Sequence, residues 1–200
     1  MNDTYVLERL DPSATDERAA YERAFYQGFQ RATWNRLIRQ LWIWDDAAGR
    51  LSTRIPYEDQ ILYAYRDCAT REIVLAMGVN VAMRGFQAGA YGFEAPADPV
   101  GCCEFLTVFG CRDFQLRTKL RFWRETFADL RARGFHTGYA STAPKVLSFY
   151  LRKGGRILRE AEINQEMRYF LQFDLGHCEW HGGQERPESC RRALQRVPAA

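Results

Sequence analysis

The spacing of apolar residues changes period several times along the chain, and each change predicts an element. Residues 4–10, TYVLERL, alternate as a strand and stop at Asp11-Pro12. Ser13 or Thr15 then caps a helix that gathers Tyr21, Phe25 and Phe29 on one face, with Gly28 as a loosening point. Trp34, Leu37, Ile38, Leu41 and Trp42 follow at i, +3, +4, +7 and +8, the stripe of a second amphipathic helix, which residues 45–49 end. Residues 60–66 and 72–84 predict an antiparallel pair around a turn at 67–71. In the longer member Ile73, Leu75, Met77, Val79, Val81 and Met83 alternate with the smaller Val74, Ala76, Gly78, Asn80 and Ala82. One face is bulky and one small, which suits helices over one side and a tunnel or ligand over the other. Residues 85–100, rich in Gly, Ala and Pro, read as a loop or an irregular continuation of the sheet.

The second half is more regular. CCEFLTVF (102–109) is an apolar run bounded by Gly101 and Gly110, a strand by length and flanks. A basic connection leads to a helix over about 117–133, with Leu120, Trp123, Phe127 and Leu130 in one stripe and Gly134 as its stop. A strand over 135–141 and a short helix over 143–153 follow, the helix opened by Pro144 and ended by Gly154-Gly155. Residues 155–163 and 166–175 predict a terminal hairpin with its turn at Asn164-Gln165. The order strand, helix, strand, short helix is a βαβα unit, whose parallel strands leave a cleft beyond their carboxyl ends. Arg112, Arg117 and Lys119 gather where the first of these helices begins. Cations are electrostatically wrong there, so they either hold an anion such as phosphate or form an ordinary solvated helix start. The expected architecture is α/β (α+β). It is a single domain over residues 1–175 with a mixed sheet of six or seven strands flanked by helices, and a polar, flexible tail over 176–200.

Composition narrows the class. In 200 residues, 46% apolar and 14% aromatic content exclude a disordered chain. A net charge of +3 argues against a dedicated nucleic-acid binder. No apolar run is long enough to span a membrane, and the first residues carry no hydrophobic segment of signal type, so the expectation is a cytoplasmic protein. Six cysteines without framework spacing are expected as reduced thiols, Cys102 and Cys103 pointing to opposite faces of their strand. His177, Cys178, His181 and Cys190 have no standard zinc spacing, and no metal is expected.

One motif points to a family. FYLRKGG (149–155) resembles the "aromatic, Tyr, x, Lys/Arg, x, Gly, Phe" pattern of the GNAT acyltransferases, with Tyr150, Arg152 and Gly154 in register. Gly155 replaces the final Phe, and Ala143 stands where an Asn is expected. The resemblance covers roughly half the chain, from Ile73 to Asp174. It implies an acyl thioester donor, of coenzyme A or acyl carrier protein, and a small-molecule amine acceptor. The family's phosphate loop, Arg/Gln-x-x-Gly-x-Gly/Ala, is degenerate here: Arg112, Gln115 and Arg117 occupy its places. Gln115 and Arg117 either crowd coenzyme A or contact its phosphates through side chains, joined by Thr118 and Lys119. Branches of the superfamily that take acyl groups from carrier protein also lack these glycines, among them acyl-homoserine lactone synthases and long-chain N-acyl amino acid synthases. The chain therefore resembles an N-acyltransferase, in the finer reading one that moves a long acyl chain to an amino acid.

The candidate catalytic residues are Glu104 and Tyr150. Glu104 is the one carboxylate in CCEFLTVF, and burial would raise its pKa towards that of a useful base. Its other reading is a buried partner of Arg84, and both hold if the pair orients the acceptor. Tyr150 matches the acid that protonates the leaving thiolate; otherwise it is a packed helix tyrosine. The resemblance also implies that the backbone N–H groups of Thr107, Val108 and Phe109 polarise the thioester carbonyl and hold the pantetheine arm. The amino-terminal helices, Trp34 included, wall the acceptor site or simply build core. The alternative from another class is a GNAT-like binding or regulatory module that has lost donor binding along with its glycines.

Overall fold

The computed structural model describes residues 4–30, 36–112 and 115–176. Trp34 and residues 177–200, with the tail's histidines and cysteines, lie outside the described residues.

The first half runs β1 (Tyr5–Leu10), α1 (Thr15–Phe29), α2 (Arg36–Leu41), a short pair β2 (Ile43–Asp45) and β3 (Arg50–Ser52), then β4 (Gln60–Asp67) and β5 (Ile73–Asn80). The second half runs β6 (Cys102–Gly110), α3 (Leu116–Ala132), β7 (Thr137–Thr142), α4 (Pro144–Leu151), β8 (Arg156–Ile163) and β9 (Glu166–Asp174). Seven strands form one mixed sheet in the order β1-β4-β5-β6-β7-β9-β8. Only β6 and β7 pair in parallel; the other neighbours are antiparallel. Among the described residues no helix is long and apolar enough to cross a membrane.

Alternation along the strands sends side chains to two cores. Tyr63, Tyr65, Leu75, Met77 and Phe105 pack under Phe122, Trp123, Phe127 and Leu130 of α3 and Leu147 and Leu151 of α4. Leu62, Ala64, Ala76 and Phe109 face Tyr21, Ala24 and Phe25 of α1 and Ile38 and Trp42 beside α2. Cys103 and Cys102 fall into separate clusters, as opposite faces require. The small face of β5 is therefore not left open: helices cover both sides, and small residues let α1 come close. A Cβ at Gly78 would stand 2.7 Å from the Tyr21 hydroxyl oxygen, and one at Gly28 3.0 Å from Phe109 Cβ. Gly28 serves close packing of α1 on β6 rather than loosening the helix.

One predicted boundary moves for a local reason. β5 ends at Asn80, not near 84, because the Asn80 side chain folds the following chain back on itself. Its Nδ2 donates to the Gly85 carbonyl at 2.7 Å, and Met83 N donates to its Oδ1 at 3.1 Å. The segment 85–100 contains a short 3₁₀ turn, Gln87–Tyr91, closed by Gly92 at φ 75°. The terminal hairpin forms where the pattern puts it, its turn made by Asn164 and Gln165, both at positive φ (50° and 66°).

Candidate active site

The sheet opens between β6 and β7. Their parallel pairing runs only from Cys102↔Thr137 to Phe105↔Ala140, although β6 continues to Gly110. On the other side of β6, Gly78 pairs with Thr107 and Val79 with Phe105, so Leu106 is an extra, bulged residue. A bulge bends and twists its strand, which turns β6 away from β7 where the gap begins. The bulge is tied down: Thr107 Oγ1 accepts from Gly78 N at 3.2 Å and shares a 3.0 Å hydrogen bond with the Tyr21 hydroxyl, and Gln87 Nε2 donates to the Leu106 carbonyl at 3.0 Å.

The gap holds a cavity of about 370 Å³ that reaches both faces of the sheet. Thr107, Val108 and Phe109 line it from β6. Lys119 and Trp123 of α3 and Val146, Phe149 and Tyr150 on α4 line it on one face. Phe29, Ile38 and Trp42 reach it from the helices of the other face, joined by Gln87 and Tyr91 of the 3₁₀ turn and Arg168 of β9. Among the lining residues, the Trp42 indole Nε1 and the Gln87 Oε1 are buried polar atoms that make no hydrogen bond among the described residues.

Tyr150 sits where α4 meets the gap, its ring edge-on to Trp123 at 5.8 Å and to Phe149 at 5.6 Å. Removal from water pushes the phenol up to about 12, so it stays protonated through the neutral range. The glycine pair behind it has a geometric reason. Gly154 takes φ 83°, and a Cβ at Gly155 would stand 2.9 Å from Phe173 Cε1 and 3.0 Å from the Tyr150 carbonyl oxygen. A side chain at position 155, where the resembled pattern carries a Phe, would be crowded here.

Glu104 is buried, and burial raises it to about 7 against three hydrogen bonds that favour the ionised form. Those donors are Gln87 N at 2.9 Å, Ala88 N at 2.7 Å and Asn80 Nδ2 at 3.2 Å. The alternative reading, a pairing with Arg84, does not form. Arg84 is largely exposed and bonds the buried Asp59 carboxylate instead. Backbone amides at the start of the 3₁₀ turn and the Asn80 side chain satisfy Glu104 in place of that arginine. Its carboxylate is not part of the cavity lining; Gln87, whose backbone it holds, is.

The basic group divides. Arg112 lies at the β1–β4 edge, donating to Asp67 Oδ2 at 3.0 Å and to the Tyr5 hydroxyl at 3.2 Å. The Ala69 backbone N–H, Arg112 and the Thr70 backbone N–H hold Asp67 below the usual carboxylate range. Its charge is thus engaged away from a phosphate role. Gln115 precedes α3 and is exposed, as is Arg117 in the first turn; Thr118 is half-buried; and Lys119 lines the cavity. α3 opens with no acidic residue in its first turn and no side-chain cap.

Arg168 escaped the sequence reading. It is 3% exposed, its Nη2 donates to Glu166 Oε2 at 3.1 Å, and its guanidinium carbon lies 5.1 Å from the centre of the Tyr91 ring. The available signal was an arginine two residues before Phe170 on the same face of a strand, where a solvated side would carry no aromatic. Among the described residues no three His, Cys, Asp or Glu side chains converge as a metal site.

No protein-family model matches the chain, and no curated protein sequence matches it significantly. Solved structures do. It is similar to BjaI, described as a coenzyme A-dependent acyl-homoserine lactone synthase and solved with SAM and isopentyl-CoA, at TM-score 0.67 and 13% identity over 96% of this chain and 99% of that one. The acyl-homoserine lactone synthase LasI aligns at TM-score 0.62 and 14% identity, covering 86% of this chain and 90% of LasI. FeeM, an N-acyl amino acid synthase from uncultured soil microbes, aligns at TM-score 0.59 and 11% identity over 87% and 92%. At these identities the likeness defines the fold alone, and that fold is the GNAT fold.

Proposed function

We propose that this protein is an N-acyltransferase that moves an acyl group from an acyl thioester to the amine of a small molecule. The observation that carries this is the cavity at the β6–β7 gap. It opens to both faces of the sheet, with the Tyr150 phenol on one wall and the open backbone edge of Thr107–Phe109 on another. A thioester can enter on the α3–α4 face and an amine on the α1–α2 face, so that donor and acceptor meet in a site shielded from bulk water.

In the reaction the neutral amine nitrogen attacks the thioester carbonyl carbon. An N–C bond forms and the C–S bond breaks. The departing sulfur takes the Tyr150 proton, and the proton lost by nitrogen restores the phenol, so amide and free thiol are the only products. Backbone N–H groups along Thr107–Phe109 polarise the carbonyl. Glu104 holds the 3₁₀ turn rather than touching the reactants, and its three donors support that role over a direct base. Arg117, Thr118 and Lys119 at the start of α3 hold the donor's phosphate, coenzyme A or carrier-protein arm alike. The described activities of BjaI and FeeM, both of this fold, support the reading. The aromatic lining of a 370 Å³ cavity supports the finer one, a long-chain donor and an amino acid acceptor.

The test incubates an amine panel with acetyl-CoA, palmitoyl-CoA and palmitoyl carrier protein and reads products by mass. Val146→Trp, which fills the cavity, should abolish product while leaving the fold intact. No product from any donor with the wild-type protein, and no thermal shift with acyl-CoA, would leave a binding module in place of an enzyme.

A further inference from the structure

Gln87 and Arg168 lie on the same side of the cavity, and neither has a part in donor binding or in the proton transfers above. Gln87 is held at both ends: its backbone N donates to Glu104, and its side-chain Nε2 donates to the Leu106 carbonyl. A carbonyl only accepts, so the amide cannot turn round, and Oε1 is fixed as the group's other pole. That oxygen is buried and accepts nothing among the described residues, although its residue lines the cavity. A buried acceptor left unsatisfied is costly, and it calls for an N–H donor from whatever fills the space. Arg168 adds a positive charge to the same wall. A guanidinium buried to 3% exposure carries a large desolvation cost, and the ion pair with Glu166 is one of the contacts that offset it. Guanidinium has five N–H donors and serves several acceptors at once, so a bound anion can join Glu166 on it. Tyr91 links the two residues: it lies four positions after Gln87 on the 3₁₀ turn, and its ring stands beside the Arg168 guanidinium.

We infer that Gln87 and Arg168 read the acceptor: Gln87 Oε1 accepts a hydrogen bond from the attacking amine, and Arg168 binds an anionic group, in the first instance a carboxylate, on the same small molecule. The inference rests on the acyl-transfer reading and names its specificity-determining residues. The amine is then placed beside Leu106 and Thr107, the point on β6 where the thioester carbonyl is presented. An amine that lacks the anion loses the Arg168 contact.

The experiment compares three amines of one shape, phenylalanine, phenylalanine methyl ester and 2-phenylethylamine, as acceptors for the donor that gives product. Wild-type kcat/KM should favour phenylalanine over the other two by at least about tenfold. Arg168→Gln should erase that preference by raising the KM for phenylalanine while leaving the ester unchanged, and Arg168→Lys should restore part of it. Gln87→Leu should lower kcat/KM for all three amines with the donor KM unaltered. Equal losses on phenylalanine and ester in Arg168→Gln would reduce Arg168 to a brace for Glu166 and Tyr91, and a wild-type rate in Gln87→Leu would remove Gln87 from the site. If the wild-type protein acylates the ester and 2-phenylethylamine as well as phenylalanine, acyl transfer stands and this inference fails. If it acylates nothing, the thermal shift decides. Stabilisation by phenylalanine but not its ester, lost in Arg168→Gln, keeps the anion site; equal shifts overturn it.

Discussion

Burial raises both Tyr150 and Glu104, and the two shifts have different consequences. Tyr150 remains a proton donor at every pH at which the protein works, and among the described residues its hydroxyl makes no hydrogen bond that folding depends on. Tyr150→Phe should therefore leave the unfolding midpoint unchanged and lower kcat by about a hundredfold, the ordinary worth of a positioned acid. For Glu104 the sign follows from its pKa of about 7 when folded, above the 4.5 of a solvent-exposed glutamate. The folded state binds the proton more tightly, so this contribution to stability is full below about pH 4.5 and is lost as pH rises to about 7. Wild-type stability relative to Glu104→Gln should fall by about 3 kcal/mol between pH 4.5 and 8, measured by urea unfolding of both proteins across that range. A constant difference would mean that Glu104 is not buried as described. Glu104 was legible in the sequence as the lone carboxylate of an apolar strand. Its partners were not, because backbone amides leave no mark on a sequence.

At the scale of elements, β6 and α4 set the site. Both were legible: an apolar run between glycines, and a short stripe opened by Pro144 and stopped by Gly154-Gly155. The β8–β9 hairpin was readable for the same reason, its two strands patterned around a turn that tolerates positive φ. The β2–β3 pair and the 3₁₀ turn Gln87–Tyr91 were not, since three to five residues are too few to show a period. Arg112 was read by its place in a loop, but Asp67 and Tyr5, far away in sequence, decide where it goes. The motif's departure at Gly155 yields a prediction. Gly155→Ala should destabilise by about 1–3 kcal/mol through overpacking against Phe173 and the Tyr150 carbonyl, and Gly155→Phe, which restores the family pattern, should cost more. Thermal unfolding of both variants checks this; a neutral Gly155→Phe would show that the turn after α4 packs otherwise.

Across the whole molecule, α1 and α2 cover one face of the sheet and α3 and α4 the other, and the β6–β7 gap is where the two halves communicate. On the proposed acyl-transfer reading, donor and acceptor thus have separate entrances. Lys119 stands at the donor side, so Lys119→Ala should raise the donor KM several-fold at low salt and less at high salt, where screening weakens the lost contact, without changing the acceptor KM. The measurement that tests the central claim most directly follows thiol release and amide mass together, in one reaction of wild-type protein with an acyl thioester and phenylalanine. Acyl transfer through this cavity predicts one thiol for every amide, and neither product in Val146→Trp. Thiol release without amide would mean hydrolysis, and amide formation undiminished in Val146→Trp would place the chemistry elsewhere; either result contradicts the account.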